Sequence, residues 1–271
     1  MTGPNPPEIV KACCATAYQS DAVTAILGDS YHPGGLALSQ HLGRTLRLRP
    51  GMRVLDVAAG PGSTALLFAA EFGCEVVGVD LGERNTARAR EAARQAGLAD
   101  LVAFRVGDAE QLPFDDASFD AVVCECALCT FPDKPTAARE LARVLRPGGR
   151  AGITDITVTP GALPRELTDL AGWIACLADA RSLEQYADLL TAAGLQTTAI
   201  ERHDDALRRM VEQIDARLRA YRMTTRGALA LSGVDTDRAL ALAAQAQRVV
   251  RDGAAGYALL IADKPAETPK S

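Results

Sequence analysis

Short apolar runs alternate with longer helical stretches through the middle of the chain. The runs that predict strands lie at 53–57, 75–79, 101–106, 119–124 and 151–158, and the stretches that predict helices lie at 63–72, 83–96 and 134–145. Strands that are apolar along most of their length are typical of a parallel sheet buried on both faces. The pattern therefore predicts an α/β fold, with a mostly parallel sheet and helices on both of its faces.

Helical spacing also dominates the two ends of the chain. Before the core, helices are predicted at 8–27 and 36–48; after it, helices are predicted at 163–180, 183–193, 203–221 and 236–250, with strands at 195–201 and 257–262. Because no repeat or linker divides the sequence, we expect one domain over 1–271. Its parts are a helical cap (1–48), a core (51–158), further helices with the final strands (159–262) and a disordered tail (263–271).

The composition excludes several classes of protein. A chain of 271 residues that is 48% hydrophobic and 23% charged is typical of a soluble globular protein. No apolar run reaches the roughly 18 residues of a membrane span, and the first residues lack the basic and apolar regions of a secretory signal. The net charge of −5 and the scattered arginines argue against nucleic acid as a partner. We therefore expect a cytoplasmic protein that binds neither membranes nor nucleic acid.

A glycine-containing turn follows the first predicted strand. Gly60 and Gly62 stand where this strand leads into a helix, and small residues there let the backbone approach a ligand. The spacing Gly60-x-Gly62-x-x-Ala65, with Asp80 at the end of the second strand, also satisfies the fingerprint of dinucleotide-binding enzymes. A Rossmann dehydrogenase that uses NAD is therefore one alternative.

Three acidic residues stand at the ends of three successive predicted strands. Asp56 lies at the end of the first strand, Asp80 at the end of the second, and Asp108 just after the third. Each acid taken singly is explained equally well by a helix cap or a turn. Together they predict a negative crevice at the switch point of the sheet. S-adenosylmethionine, which carries an ammonium and a sulfonium, suits such a crevice better than a pyrophosphate does.

Five segments of the core resemble, in order, the motifs of the class I S-adenosylmethionine-dependent methyltransferases. They are VLDVAAGPG, VVGVD, GDAEQLPF, SFDAVVCE and RVLRPGGRAGITD, and the resemblance covers roughly residues 34–158. It implies a Rossmann-like sheet of seven strands in which the last strand is antiparallel. It also makes 51–158 the part of the chain that binds S-adenosylmethionine.

The resemblance implies a cofactor site residue by residue. Asp56, Gly60 and Gly62 correspond to positions that line the methionine end of the cofactor. Asp80 and Leu81 correspond to positions at the ribose, and Asp108 and Ala109 to positions beside the adenine. Cys124 corresponds to a residue whose backbone faces the cofactor. This sequence departs from the family at Ala58, where the first glycine of the motif is expected. A methyl group at that position narrows the turn.

Seven cysteines are the unusual feature of the composition: 13, 14, 74, 124, 126, 129 and 176. An odd number without an export signal argues against a disulfide framework and favours reduced thiols. We expect Cys74 and Cys124 to be buried as small hydrophobic side chains. Cys126 and Cys129 follow the fourth strand, on the reaction face of this fold. Their spacing is not that of a zinc ribbon, so we expect no metal cofactor.

The cysteine pattern is also similar to that of the arsenite methyltransferase branch. This resemblance implies Cys126 and Cys176 as thiolate ligands of As(III), with Cys129, Cys13 and Cys14 completing the set. It implies that the lone pair of the metalloid accepts the methyl group, so that Cys126, Cys129 and Cys176 act by placement and no general base is needed. The extra Cys129 and the missing cysteine-rich extension depart from that branch.

Two further alternatives remain open. A methyltransferase for a small organic acceptor in specialised metabolism, acting at oxygen, nitrogen, sulfur or carbon, would use Glu125 or His203 as a base. His203 is also explained as the first residue of a surface helix. A metalloid or redox sensor would bind ions tightly without forming a methylated product. In each case the partner is a small molecule or a metalloid, and the sequence indicates no oligomeric state.

Overall fold

Seven strands form one sheet in the part of the chain that the structure describes. The computed structural model describes residues 6–28, 30–167, 176–223 and 235–266. The strands are β1 (Arg53–Val57), β2 (Glu75–Asp80), β3 (Val102–Val106), β4 (Phe119–Glu125), β5 (Leu145–Val158), β6 (Gln196–Arg202) and β7 (Ala255–Asp263). Their order is β3-β2-β1-β4-β5-β7-β6, and β7 is antiparallel to both of its neighbours. The mostly parallel sheet predicted from the sequence is confirmed.

Helices cover both faces of the sheet. Those described are α1 (Pro7–Tyr18), α2 (Asp21–Leu27), α3 (Gly35–Thr45), α4 (Ser63–Phe72), α5 (Glu83–Gln95), α6 (Lys134–Val144), α7 (Leu183–Ala192), α8 (Asp204–Arg222) and α9 (Thr236–Arg251). One face buries a hydrophobic cluster that includes Leu42 and Phe68, and the other buries a second cluster around Leu141 and Tyr186. None of the described helices is long and apolar enough to cross a membrane.

The helix predicted at 8–27 is two helices. Ser20 Oγ accepts a hydrogen bond from the Val23 amide at 3.2 Å and donates one to the Ala17 carbonyl at 2.7 Å. A serine in this role fixes a non-helical backbone at the start of a helix. The chain therefore leaves α1 after Tyr18 and begins α2 at Asp21.

Within the described residues, the helix predicted at 163–180 is present only as a short 3-10 helix at Arg165–Leu167, and it is wrong for 176–180. Residues 168–175 lie outside the described part of the chain. Cys176, the first residue described after them, has φ +62°, a left-handed conformation that a helix interior does not contain. The residues from 176 to 181 form turns and an isolated bridge, and the next helix begins only at Leu183.

The predicted boundary of the disordered tail, at residue 263, is too early in the chain. Asp263 is the last residue of β7, and its carboxylate accepts a hydrogen bond from Arg150 at 2.9 Å. Lys264 Nζ donates to the backbone carbonyls of Ala142 and Leu145, both at 2.7 Å. The side chain of Lys264 therefore ties the end of β7 to the junction of α6 and β5. Residues 267–271 lie outside the described ranges.

Gly62 sets how closely the start of α4 packs against its neighbours. Its φ is +86°, and a Cβ placed there would lie 2.5 Å from Phe104 Cζ and 2.9 Å from Ala89 Cβ. A larger residue is therefore disfavoured twice, by the backbone conformation and by two buried side chains. The role of Gly62 is therefore to permit close packing. This packing holds α4 so that its first turn faces the carboxyl ends of the strands.

We expect Gly62→Ala to destabilise the fold more than Gly97→Ala does. Gly97 also has a positive φ, +67°, but a Cβ there would meet no atom within 4 Å. Both variants carry the backbone penalty of roughly 1–2 kcal/mol, whereas only Gly62→Ala adds overpacking of about 1–3 kcal/mol. Urea unfolding of the two variants and the parent measures the difference. Equal losses of unfolding free energy would contradict the packing role of Gly62.

Candidate active site

A cleft opens at the carboxyl ends of β1, β2, β3 and β4, with about 1100 Å³ of empty space of which part is open solvent. Of the residues singled out in the sequence, those that line it are Cys14, Asp56, Ala58, Gly60, Asp80, Leu81, Asp108, Ala109, Glu125 and Cys126. The three predicted acids therefore do meet in one crevice. The cleft is also lined by Lys11 and Tyr18 of α1 and by Tyr31 and His32, residues that lie before the sheet in the chain.

The remaining predicted residues lie elsewhere. The lining of the cleft does not include Gly62, Cys13, Cys124, Cys129, Cys176 or His203. Cys124 is completely buried inside β4, and Cys74 is buried as well, as predicted for both. Cys129 was expected on the reaction face, but it is 1% exposed and lies behind the cleft wall, because the turn after β4 directs it into the core. His203 lies beside His41 and Glu201, on a different part of the surface.

The turn after β1 is formed by residues with left-handed backbone conformation. Ala58 has φ +60° and Gly60 has φ +54°. Ala58 occupies the position at which the sequence departs from the glycine motif. A residue other than glycine in this conformation reduces the stability of the fold by roughly 1–2 kcal/mol. Hydrogen bonds hold the turn in place: the Ala59 amide donates to the Val79 carbonyl at 3.0 Å, and the Gly60 amide donates to Asp80 Oδ2 at 2.9 Å.

Two buried carboxylates face each other across the inner end of the cleft. Asp56 and Glu125 lie on the neighbouring strands β1 and β4, and Asp56 Oδ2 and Glu125 Oε2 are buried without a hydrogen-bond partner among the described residues. Burial, followed by the nearby carboxyls of Glu125 and Asp80, raises the pKa of Asp56 well above its ordinary value. An unpartnered buried carboxylate oxygen is unfavourable. A cationic ligand group placed between these two oxygens would remove that penalty.

Two hydroxyl groups orient Glu125. Its Oε1 accepts hydrogen bonds from Thr64 Oγ1 at 2.7 Å and from Ser39 Oγ at 2.9 Å. Because both donors engage one oxygen, the other oxygen is directed toward the cleft, 3.7 Å from His32 Nδ1. Sequence reasoning missed Ser39 and Thr64, since hydroxyl residues inside amphipathic helices carry no local signal of a ligand site.

Lys11 joins the N-terminal helix to the acidic loop after β3. Its Nζ lies 2.6 Å from Asp108 Oδ2 and is also paired with Glu110. These ion pairs hold α1 across the mouth of the cleft. No local sequence pattern connects position 11 with position 108, so only the tertiary structure identifies this contact.

Three of the predicted thiols, Cys126, Cys129 and Cys176, lie close together; Cys126 lines the cleft and the other two lie behind it. Cys176 Sγ lies 3.0 Å from the Tyr18 hydroxyl and 3.6 Å from the Cys126 carbonyl oxygen. Hydrogen bonds from the Cys126 and Cys129 thiols, assisted by the Tyr18 hydroxyl and the charge of Lys134, lower the pKa of Cys176 well below its ordinary value. The same cluster and its burial raise the pKa values of Cys126 and Cys129. Cys176 is therefore the thiol of this group that ionises first.

The thiols do not form a compact set of ligands. Within the described residues, the group of three or more His, Cys, Asp or Glu side chains whose ligand atoms all lie within 4.8 Å of one another is His41, Glu201 and His203, and it contains no cysteine. Cys14 lines the cleft, and its burial raises its pKa to about 12. A thiol with that pKa is protonated at neutral pH and is a poor ligand for a metalloid.

Comparison with known proteins identifies the fold and the chemistry at the level of family. A family model described as a methyltransferase domain matches residues 55–153. The 27-O-demethylrifamycin SV methyltransferase of Amycolatopsis mediterranei is 32% identical over 218 residues, which are 74% of this chain and 78% of that protein. Methyltransferase GfsG of Streptomyces halstedii is 37% identical over 170 residues, 62% of this chain and 61% of GfsG, so this match spans less than two thirds of the relative.

The arsenite branch is one of several groups that resemble the chain. The arsenite methyltransferase of Halobacterium salinarum is 32% identical over 164 residues, which are 59% of this chain but 41% of that protein. Among solved structures, phosphoethanolamine N-methyltransferase 2 of Haemonchus contortus in complex with S-adenosyl-L-methionine has the same fold, with a TM-score of 0.79 and 23% identity over 94% of this chain and 60% of that one.

These matches decide between the two kinds of nucleotide site that the glycine turn allowed. The matched family and the relatives named above are methyltransferases, and none of them is a dehydrogenase. Asp56, the buried acid of β1 just before that turn, agrees with this, because a buried carboxylate beside a pyrophosphate is electrostatically unfavourable. The chain belongs to the class I S-adenosylmethionine-dependent methyltransferases.

Proposed function

We propose that this protein transfers the methyl group of S-adenosylmethionine to a small organic acceptor of specialised metabolism, at an oxygen, nitrogen, sulfur or carbon atom. The observation that carries the proposal is the make-up of the cleft, in which the paired carboxylates Asp56 and Glu125 share one cavity with the rings of Tyr18, Tyr31 and Phe131. Aromatic walls with a few polar groups are typical of small-molecule sites. The similarity to a rifamycin methyltransferase supports an acceptor of this class.

The residues of the cleft fit S-adenosylmethionine, which supplies an electrophilic methyl group on a sulfonium when bound. The unpartnered oxygens of Asp56 and Glu125 suit its ammonium group. Asp80, Leu81, Asp108 and Ala109 all line the cleft, and we assign the first two to the ribose and the last two to the adenine. Ala58 and Gly60 offer backbone at the methionine end, whereas the cofactor-facing role of the Cys124 backbone stays a prediction.

Lys11 has a positioning role in this proposal. It neutralises Asp108 and Glu110, and it holds α1 over the cleft. Methyl transfer to an organic nucleophile proceeds best where water is excluded and the two reacting groups are aligned. An N-terminal helix that is fixed by an ion pair supplies such a cover.

An acceptor with a hydroxyl or ammonium group must lose a proton. Of the two bases suggested by the sequence, Glu125 lines the cleft and His203 does not, so His203 is not the base. Of the three histidines in the chain, only His32 lines the cleft, and its ring lies 3.7 Å from Glu125 Oε2. We assign the proton acceptor to His32, because the free oxygen of Glu125 is assigned to the ammonium group of the cofactor.

The thiols favour a second candidate function, the methylation of As(III). The supporting observation is that Cys126 and Cys129 surround the acidic thiol of Cys176. Thiolates are the natural ligands of thiophilic metalloids. Methylation of an organic acceptor agrees better with the residues of the cleft than methylation of As(III) does, since Cys129 and Cys176 do not line the cleft.

The proposal includes a cytoplasmic location and a small molecule as the partner. All seven cysteines are free, which suits a reducing compartment. The net charge of −5 and the acidic cleft favour a cationic cofactor over nucleic acid.

Asp56→Asn is expected to weaken S-adenosylmethionine binding by about 10- to 100-fold, because a hydrogen bond to a charged group contributes about 1.5–3 kcal/mol. Isothermal titration calorimetry measures the change. Asp120→Asn is the matched control, since Asp120 lies at the start of β4, the opposite edge of the sheet, where it accepts the Arg53 amide at 2.7 Å. Unchanged affinity in Asp56→Asn would remove the carboxylate from the cofactor site.

Cofactor affinity is expected to rise with pH. The raised pKa of Asp56 leaves its carboxyl protonated in the free protein below that pKa, and a cationic ligand selects the ionised form. Binding therefore releases a proton, and the dissociation constant falls by up to about ten-fold per pH unit until that pKa is passed. Calorimetry in two buffers of different ionisation enthalpy counts the proton, and Asp56→Asn should abolish its release. A pH-independent affinity of the parent protein would contradict this role.

The two candidate acceptors respond differently to the loss of a thiol. For an organic acceptor, Cys126→Ser and Cys176→Ser should retain methyl transfer within a few-fold; for As(III), both should lose it. The assay is mass spectrometry of products from S-adenosylmethionine with either arsenite and glutathione or a panel of phenols, amines and thiols. Cys74→Ser, a buried thiol outside the cleft, is the control. Methylated arsenic that disappears in both variants, with no organic product, would overturn the proposal.

A further inference from the structure

Two of the three histidines of the chain meet at one place outside the cleft. His41 lies on α3, Glu201 lies on β6, and His203 is the residue that precedes α8. His41 Nε2 is 2.6 Å from Glu201 Oε2, and His203 Nε2 is 3.4 Å from the same oxygen. The two imidazole rings are 5.9 Å apart and nearly edge to face. The three ligand atoms all lie within 4.8 Å of one another.

Separate features of the fold bring these residues together. Side chains alternate along β6, so Glu201 lies on the half-buried face of that edge strand, and His203 follows it by two positions. α3 packs closely over β5, because Gly152 leaves room for Leu42 and Leu46; a Cβ at Gly152 would lie 2.6 Å from Leu42 Cδ1. His41, the neighbour of Leu42, is thereby placed at the edge of the sheet.

The distances between the three ligand atoms are compatible with a metal site. Ligands at roughly 2.0–2.2 Å from a tetrahedral zinc ion lie about 3.4 Å from one another. The separation between His203 and Glu201 already has this value, and the 2.6 Å separation between His41 and Glu201 has only to widen. His203 Nε2 is buried and makes no hydrogen bond within the described residues, so no hydrogen bond has to be broken for it to bind an ion. Arg202, the nearby cation, is directed to Asp204 at 3.7 Å.

We propose that His41, Glu201 and His203 form a binding site for a divalent transition-metal ion of the zinc class. Two imidazoles and one carboxylate are ligands that zinc accepts, and water completes the coordination. The ion would connect α3 to the edge of the sheet formed by β6. α3 also carries Ser39, which orients Glu125, so the site stabilises the helix that supports the cleft. It is separate from the proposed methyl transfer and does not depend on it.

Zinc titration of the full chain tests the proposal. Calorimetry and thermal unfolding are measured with zinc alone for the parent protein, His41→Ala and His203→Ala. Glu71→Gln is the matched control, because Glu71 is a carboxylate beside α3 that bonds Gln40 and Arg44 but has no imidazole partner. Cobalt is titrated in parallel, since its absorption spectrum distinguishes thiolate ligands from imidazole ligands and so separates this site from the cysteines behind the cleft.

We expect one equivalent of zinc to bind the parent protein and Glu71→Gln with equal affinity and to raise their unfolding temperature. Both histidine variants should bind at least about ten-fold more weakly while keeping the same far-UV circular dichroism as the parent. The cobalt complex should lack a thiolate band. Undiminished binding in both histidine variants, a thiolate band that accounts for the bound ion, or no saturable binding at millimolar zinc would each overturn the proposal.

Discussion

Two carboxylates buried on neighbouring strands are the interaction on which the rest of the site depends. Asp56 on β1 and Glu125 on β4 each have a buried oxygen without a hydrogen-bond partner among the described residues, and the nearby Glu125 carboxyl helps to raise the pKa of Asp56. Such a pair is unfavourable in the free protein and favourable once a cation lies between the two groups. The hydroxyls of Ser39 and Thr64 prevent Glu125 from turning away. A site built in this way selects a positively charged cofactor.

Backbone strain is concentrated around the same cleft. Among the described residues, five other than glycine have a positive φ, and three of these, Ala58, Cys126 and Cys176, lie at the cleft or directly behind it. Residues in this conformation persist only where the surrounding structure fixes them. Ala58 is fixed by the neighbouring turn, and Cys126 by its amide, which donates to the Thr154 carbonyl at 2.6 Å.

The thiols illustrate how burial changes the interpretation of a motif. By sequence, Cys126, Cys129 and Cys176 are three candidate ligands on the reaction face. In the fold, Cys129 and Cys176 are both buried in the core, and of the three only Cys126 lines the cleft. Their main effect on one another is electrostatic, because Cys126 and Cys129 donate to Cys176 and lower its pKa. A group of thiols that is close in space is therefore not yet a metalloid site.

The sequence by itself determined the sheet, its order of strands and helices, and the three acids of the crevice. These features depend on local periodicity and on the rule that parallel strands end at one edge, so Asp56, Asp80 and Asp108 could be assigned to one cleft. Only the tertiary structure decided the partners of Lys11, Cys176 and His203, and of the two readings of His203 it agrees with a residue at the start of a surface helix. Lys11 meets Asp108, Cys176 meets Tyr18 and His203 meets His41, and each of these contacts joins residues that are distant in the chain. Their distances are fixed by the packing of helices on the sheet, which no local pattern encodes.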